Sequence, residues 1–194
     1  VAAALAATRA VTAADLVLPH RTSFLVTIAE EIGQGASHGL DADVAEMVSI
    51  DNAVCAPGQQ SIEDGVTIPM ADQTGPFDFH LTRRLVRLCA QHGLPHARDV
   101  FRWYRSDVAA ALEAGAATRA ALIAFGLDGS HGYERTHRRS VEAVAGLLTL
   151  WLQTPLTFES WDSSPSGPLA EFPSGRQPAP AERWGPLGRP PVRP

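Results

Sequence analysis

Lysine is absent: all 16 basic residues of this 194-residue chain are arginine. A Schiff-base lysine and the lysine of a phosphate-binding P-loop are thereby excluded. Cysteine is scarce, with only Cys55 and Cys89, which is too few for a disulfide framework and lacks the CxxC pairing of a structural zinc site. A reduced, cytoplasmic setting is the expectation. No apolar run reaches the roughly 18 residues of a membrane-spanning helix, and no charged stretch followed by an apolar one marks a signal peptide near residue 1. A net basic field is missing too, since 16 Arg against 21 acids leave a formal charge of −5. Neither nucleic acid nor an anionic membrane is therefore an expected partner.

What is present suits one globular domain with a core: 45% of residues are hydrophobic and 19% charged. Residues 1–11 are rich in Ala without a breaker and predict a helix whose start is missing. Short apolar, β-branched runs at 23–29, 46–51 and 66–71 predict strands, with Pro69 marking an edge or a bulge. Residues 77–92 place Leu81, Leu85, Leu88 and Cys89 at helical spacing, and Gly93 stands where a C-cap glycine belongs. A strand near 98–103, a helix over 106–113 capped by Ser106 or Asp107, a strand over 119–125 and a helix over 140–152 follow. This alternation predicts an α/β fold in which helices cover a mainly parallel sheet. Ten of the 15 prolines fall in the last forty residues, so the expected division is a folded domain over 1–153 and a Pro-rich disordered tail over 154–194.

Three features are expected at the carboxyl ends of strands, where such sheets place their sites. They are Glu30-Glu31 after the first strand, Asp51 after the second, and His137 after the strand at 119–125. Adjacent carboxylates raise each other's pKa unless a cation intervenes. In metal-assisted hydrolysis one carboxylate can ligate the metal while its neighbour accepts a proton from the attacking water. Taken singly, each residue has an ordinary reading: acids in a solvated loop or at a helix start, a turn aspartate before Asn52, a surface histidine. Gly33-Gln34-Gly35 could form a phosphate-cradling turn, although the accompanying acid or lysine is missing. Arg83, Arg84 and Arg87 form a basic helix face that reads as solvated surface.

Taken in order, these residues resemble a known family. Thr27-Ile28-Ala29-Glu30-Glu31-Ile32-Gly33, Ser49-Ile50-Asp51, Ala71-Asp72-Gln73-Thr74-Gly75-Pro76-Phe77-Asp78, Arg105-Ser106-Asp107-Val108 and Glu134-Arg135-Thr136-His137 are similar to the C-terminal part of the glutamyl-aminopeptidase-like, tetrahedral-assembling dinuclear metallo-aminopeptidases. The stretch Ser130-His131-Gly132-Tyr133-Glu134-Arg135-Thr136-His137 resembles most the branch encoded with synthesis of the osmoprotectant N-acetylglutaminylglutamine amide.

The resemblance implies a three-layer αβα sandwich of the zinc-dependent exopeptidase type, truncated at its N-terminal side. It implies Glu30 as general base, Glu31 as a ligand of one metal, Asp51 as a terminal ligand of the other, and His137 as a ligand of the same metal as Glu31, with His131 as runner-up in the same loop. The family's His-x-Asp motif and bridging aspartate have no counterpart in this chain, so the two divalent ions (zinc or cobalt) of a complete relative would find an incomplete site here. The implied activity is hydrolysis of N-terminal amino acids or small amides, by a homo-oligomer in the complete protein. As a C-terminal fragment, the chain is expected to lack full activity; the alternative expectation is a non-catalytic assembly or interaction piece of such a peptidase.

Overall fold

The period-two alternation of residues 120–124 decides the architecture. Ala121 and Ile123 are buried in one apolar cluster, while Ala120, Leu122 and Ala124 are buried in another. A strand that buries both faces must be covered on both. The computed structural model describes residues 1–116 and 118–158. The tail reading therefore falls, from residue 159 on, outside the described residues.

In chain order the elements are α1 (Ala2–Ala13), β1 (Glu46–Val54), β2 (Val66–Asp72), β3 (Gly75–Pro76), α2 (Phe79–Gln91), β4 (His96–Val100), α3 (Asp107–Glu113), β5 (Arg119–Asp128), β6 (Arg135–Thr136) and α4 (Arg138–Leu152). The sheet runs β1-β5-β2-β3, with β4 on β2 and β6 on β5. One core packs α1, α2 and α4 on β2 and β5 through Ala7, Leu81, Leu85, Ile68, Ile123, Val144 and Leu147. The other sets Val108 of α3 with Phe77 and Phe101 against Ala53, Leu122 and Ala124. Helices thus cover both faces of the sheet, the αβα layering expected.

The sheet is mainly parallel, as expected, with short antiparallel pairings added to it. β1 and β5 pair in parallel from Glu46↔Arg119 to Val54↔Leu127, and β2 pairs in parallel with β4. β2 meets β5 antiparallel at Val66↔Phe125 and Thr67↔Ala124. Residues 55–65, which join β1 to β2, carry no helix, and a strand can return parallel only through a crossover. The register of β2 against β4 shifts between Pro69 and Ala71, because proline has no N–H to give the ladder.

Gly93 stands beyond α2 as expected, and the structure adds a cap at its start. Asp78 accepts from the Leu81 N–H at 2.8 Å at the start of α2, and Gly93 takes φ +66° beyond its end. Ser106 occupies the N-cap of α3, but its side chain makes no capping hydrogen bond.

Residues 23–29 are not a strand. Phe24, Val26 and Ile28 are 45%, 55% and 99% exposed, and no sheet ladder includes them. β-Branched composition fits a strand but does not make one, because the backbone N–H and C=O groups also need a neighbour to pair with. Among the described residues, no helix is long and apolar enough to cross a membrane.

Candidate active site

Glu30 and Glu31 sit in a loop, so the acid pair does not follow a strand. They open a single 3₁₀ turn, Glu30–Ile32, closed by the Gly33 N–H donating to the Glu30 carbonyl at 2.7 Å. Gly33 takes φ +74°, a left-handed conformation that glycine adopts without steric cost. A second short turn, Gly35–Ser37, follows directly. Asp51 lies inside β1 rather than after it, in register with Ala124 of β5, and its Oδ1 accepts from the Asn52 N–H at 2.7 Å.

The acids nonetheless share one electrostatic environment. Burial, then the charges of Asp51, Asp107 and Glu31, push the Glu30 carboxyl up to about 7, with His131 opposing. Asp51 is likewise pushed up, first by burial; the Asn52 N–H opposes the rise, Asp107 and Glu31 add to it, and His131 again opposes. Like charges held together and partly withdrawn from water resist ionisation unless a cation joins them. A glutamate that changes charge near neutral pH is suited to moving protons there.

The two histidines of the 130–137 loop are used differently. His131 has φ +61°, its N–H donates to Glu134 Oε1 at 3.1 Å, and its Nε2 lies 3.4 Å from Glu31 Oε2. His137 is the N-cap of α4, its Nδ1 accepting from the Arg139 N–H at 3.1 Å. The structure therefore brings Glu30, Glu31, Asp51 and His131 into mutual influence and gives His137 a capping contact.

Asp107 enters the sequence reading only as a candidate cap of α3 and within the motif Arg105-Ser106-Asp107-Val108; the structure gives it a different part. It is buried at the start of α3, and its carboxylate accepts from Thr27 Oγ1 at 2.6 Å and from the Ala36 N–H at 3.0 Å. Those partners flank the Glu30-Glu31 turn. Nothing local in the sequence signals a contact between residues 80 positions apart.

The donor types fit a zinc or cobalt ion, since carboxylate and imidazole both ligate these metals. The set is only partial: among the described residues, no three His, Cys, Asp or Glu side chains lie close enough together to hold a metal ion. A cavity of about 300 Å³ lined by Thr74, Phe77, Ala109 and Leu112 shares no residue with this cluster.

The family model described as M42 glutamyl aminopeptidase matches residues 1–147. A Bacillus subtilis (strain 168) protein named "Putative aminopeptidase YhfE" is 34% identical over 142 residues, covering 73% of this chain and 41% of its own length. Among solved structures, a TET aminopeptidase from the marine sediment archaeon Thaumarchaeota archaeon SCGC AB-539-E09 superposes with a TM-score of 0.65 at 16% identity, over 78% of this chain and 45% of that one. The Pyrococcus horikoshii TET1 peptidase, described as able to assemble into a tetrahedron or a large octahedral shell, gives 0.56 at 18% identity, over 65% of this chain and 39% of its own. At those identities the likeness to the solved structures is one of fold. The chain spans less than half the length of each of these relatives.

Proposed function

Because the chain belongs to the M42 glutamyl aminopeptidase family, we propose that it carries the Glu30, Glu31 and Asp51 share of a divalent-metal aminopeptidase site. The reading rests on one arrangement: His131 Nε2 stands 3.4 Å from Glu31 Oε2 beside the Glu30-Glu31 turn, and Asp51, Asp107 and Glu31 crowd Glu30 with negative charge while that single imidazole opposes them. Such crowding of negative charge is what a divalent cation relieves.

Glu30 is the general base in this reading. Its carboxylate takes the proton of the attacking water and passes it to the leaving amine, a role that requires a pKa near the working pH. Glu31, Asp51 and one imidazole are the metal donors of this chain. His137 is the imidazole by its place in Glu134-Arg135-Thr136-His137, with His131 as the second candidate. A zinc or cobalt ion held there would act as a Lewis acid on the scissile carbonyl. With too few donors converging among the described residues to close a cage, the chain binds metal weakly and turns over little peptide by itself.

The substrate class is an N-terminal amino acid or a small amide. The finer placement, in the osmoprotectant N-acetylglutaminylglutamine amide branch, is supported by the stretch from Ser130 to His137. Homo-oligomeric assembly in the complete protein is supported by the shells named for the P. horikoshii relative, and a cytoplasmic setting by the scarcity of cysteine.

The test is isothermal titration of the purified chain with zinc and with cobalt, followed by an assay on aminoacyl p-nitroanilides. Weak binding that is lost in Glu31→Ala, with trace activity lost in Glu30→Gln, supports the proposal. Binding that survives Glu31→Ala and Asp51→Ala together overturns it.

A further inference from the structure

Asp107 touches both sides of the Glu30-Glu31 turn from a distant part of the chain. Its Oδ2 accepts from Thr27 Oγ1 at 2.6 Å, three residues before Glu30, and its Oδ1 accepts from the Ala36 N–H at 3.0 Å, five residues after Glu31. The Ala36 contact is buried, and Ala36 itself is 2% exposed. Gly35 belongs to the same contact, because a Cβ on it would overlap the Asp107 carboxylate. The loop therefore closes over a carboxylate and needs its smallest residue to do so.

The rest of the loop has little else to hold it. Val26, Ile28 and Ile32 are exposed, no ladder pairs residues 23–29, and the hydrogen bonds of the two short turns are local. A segment with few buried apolar contacts opens readily unless specific hydrogen bonds tie it down.

We propose that Asp107 is the positioning residue of the Glu30-Glu31 turn, clamping both arms of its loop onto the start of α3. The catalytic meaning of the clamp rests on the proposed aminopeptidase site; the clamp itself does not. Asp107 sets where Glu30 and Glu31 stand relative to Asp51, which lies on the sheet.

The test is amide hydrogen exchange on the metal-free chain, with a cobalt titration in parallel. Asp107→Ala removes both acceptors, and exchange at the Ala36 N–H accelerates about tenfold, the scale of one lost buried hydrogen bond. The Leu122 and Ile123 amides of β5 keep wild-type rates. Asp107→Asn still offers an oxygen to Ala36 and an amide N–H to Thr27, so it restores slow exchange while removing the charge. Thr27→Val frees one arm and gives an intermediate rate. Cobalt affinity falls at least fivefold in Asp107→Ala and recovers in Asp107→Asn. Unchanged Ala36 exchange in both Asp107→Ala and Thr27→Val, or acceleration spread equally over β5, overturns the clamp. If the wild-type chain takes up no cobalt, the aminopeptidase reading fails and the exchange rates still decide the role of Asp107.

Discussion

His131 turns its Nε2 toward Glu31 Oε2 at 3.4 Å, while six residues later His137 turns its Nδ1 toward the Arg139 N–H. A ring that accepts at Nδ1 carries its proton on Nε2 when neutral, so His137 can ligate only by giving up its cap. Losing a cap costs about 1 kcal/mol, which is small beside a metal–ligand bond, and α4 is long enough to survive it. The His131–Glu31 pair is exposed on both sides, at 73% and 72%, and water screens it. His137→Ala therefore lowers cobalt affinity at least tenfold, whereas His131→Ala leaves it within about threefold. Isothermal titration checks this, and the reverse ranking assigns the ligand to His131.

Glu30 makes stability depend on pH in a stated direction. Its folded pKa of about 7 lies above the ordinary 4.5, so between those values the folded chain holds a proton that the unfolded chain has released. The stabilisation is complete below about 4.5 and is lost as pH rises through about 7. Asp51, also raised, acts with the same sign. The urea midpoint of the metal-free chain should be lower at pH 8 than at pH 5.5, and the difference should shrink in Glu30→Gln. A midpoint that does not fall between pH 5.5 and pH 8 would mean that the two carboxyls are not held above their ordinary pKa in the fold.

Periodic segments were legible in the sequence, and segments whose conformation depends on a distant partner were not. Leu81, Leu85 and Leu88 announce α2 because the burying face repeats every turn. Residues 23–29 have the composition of a strand, but pairing is a property of the neighbour, and here the segment finds Asp107 and a loop instead. The same blindness applies to the site. Glu30, Glu31 and Asp51 stood out by type and order, whereas the Thr27–Asp107 contact that holds two of them spans 80 residues. The antiparallel entry of β2 was hidden because it depends on residues 55–65 forming no crossover helix.

Ser140 offers a test of how α4 is fastened to the sheet. Its fully buried hydroxyl donates to the Gly65 carbonyl at 2.6 Å and accepts from the Gly126 N–H at 2.8 Å. Ser140→Ala strands a buried donor and a buried acceptor together, which costs about 2 to 3 kcal/mol. The thermal midpoint should fall by about 5 to 10 °C for a chain of this size, and differential scanning calorimetry checks it. A fall of under 2 °C would mean that water reaches both groups.

Gly126, the partner of Ser140 on β5, is the more severe site because the nearest atom facing it is the Ile62 backbone carbonyl. A Cβ there would collide with the Ile62 carbonyl and stand 2.9 Å from Cys55 Sγ, and the backbone cannot yield without disturbing its pairing with Ala53 on β1. Gly126→Ala therefore costs about 2 to 3 kcal/mol through overpacking. The same shift carries the Gly126 N–H away from Ser140, so the single variant already breaks the hydrogen bond that Ser140→Ala removes. Residues sharing one contact are not additive, and the double variant should lose at least about 1 kcal/mol less than the two single losses together. Urea unfolding of the four chains of this cycle measures that difference, and strict additivity would show that Gly126 and Ser140 act through separate contacts.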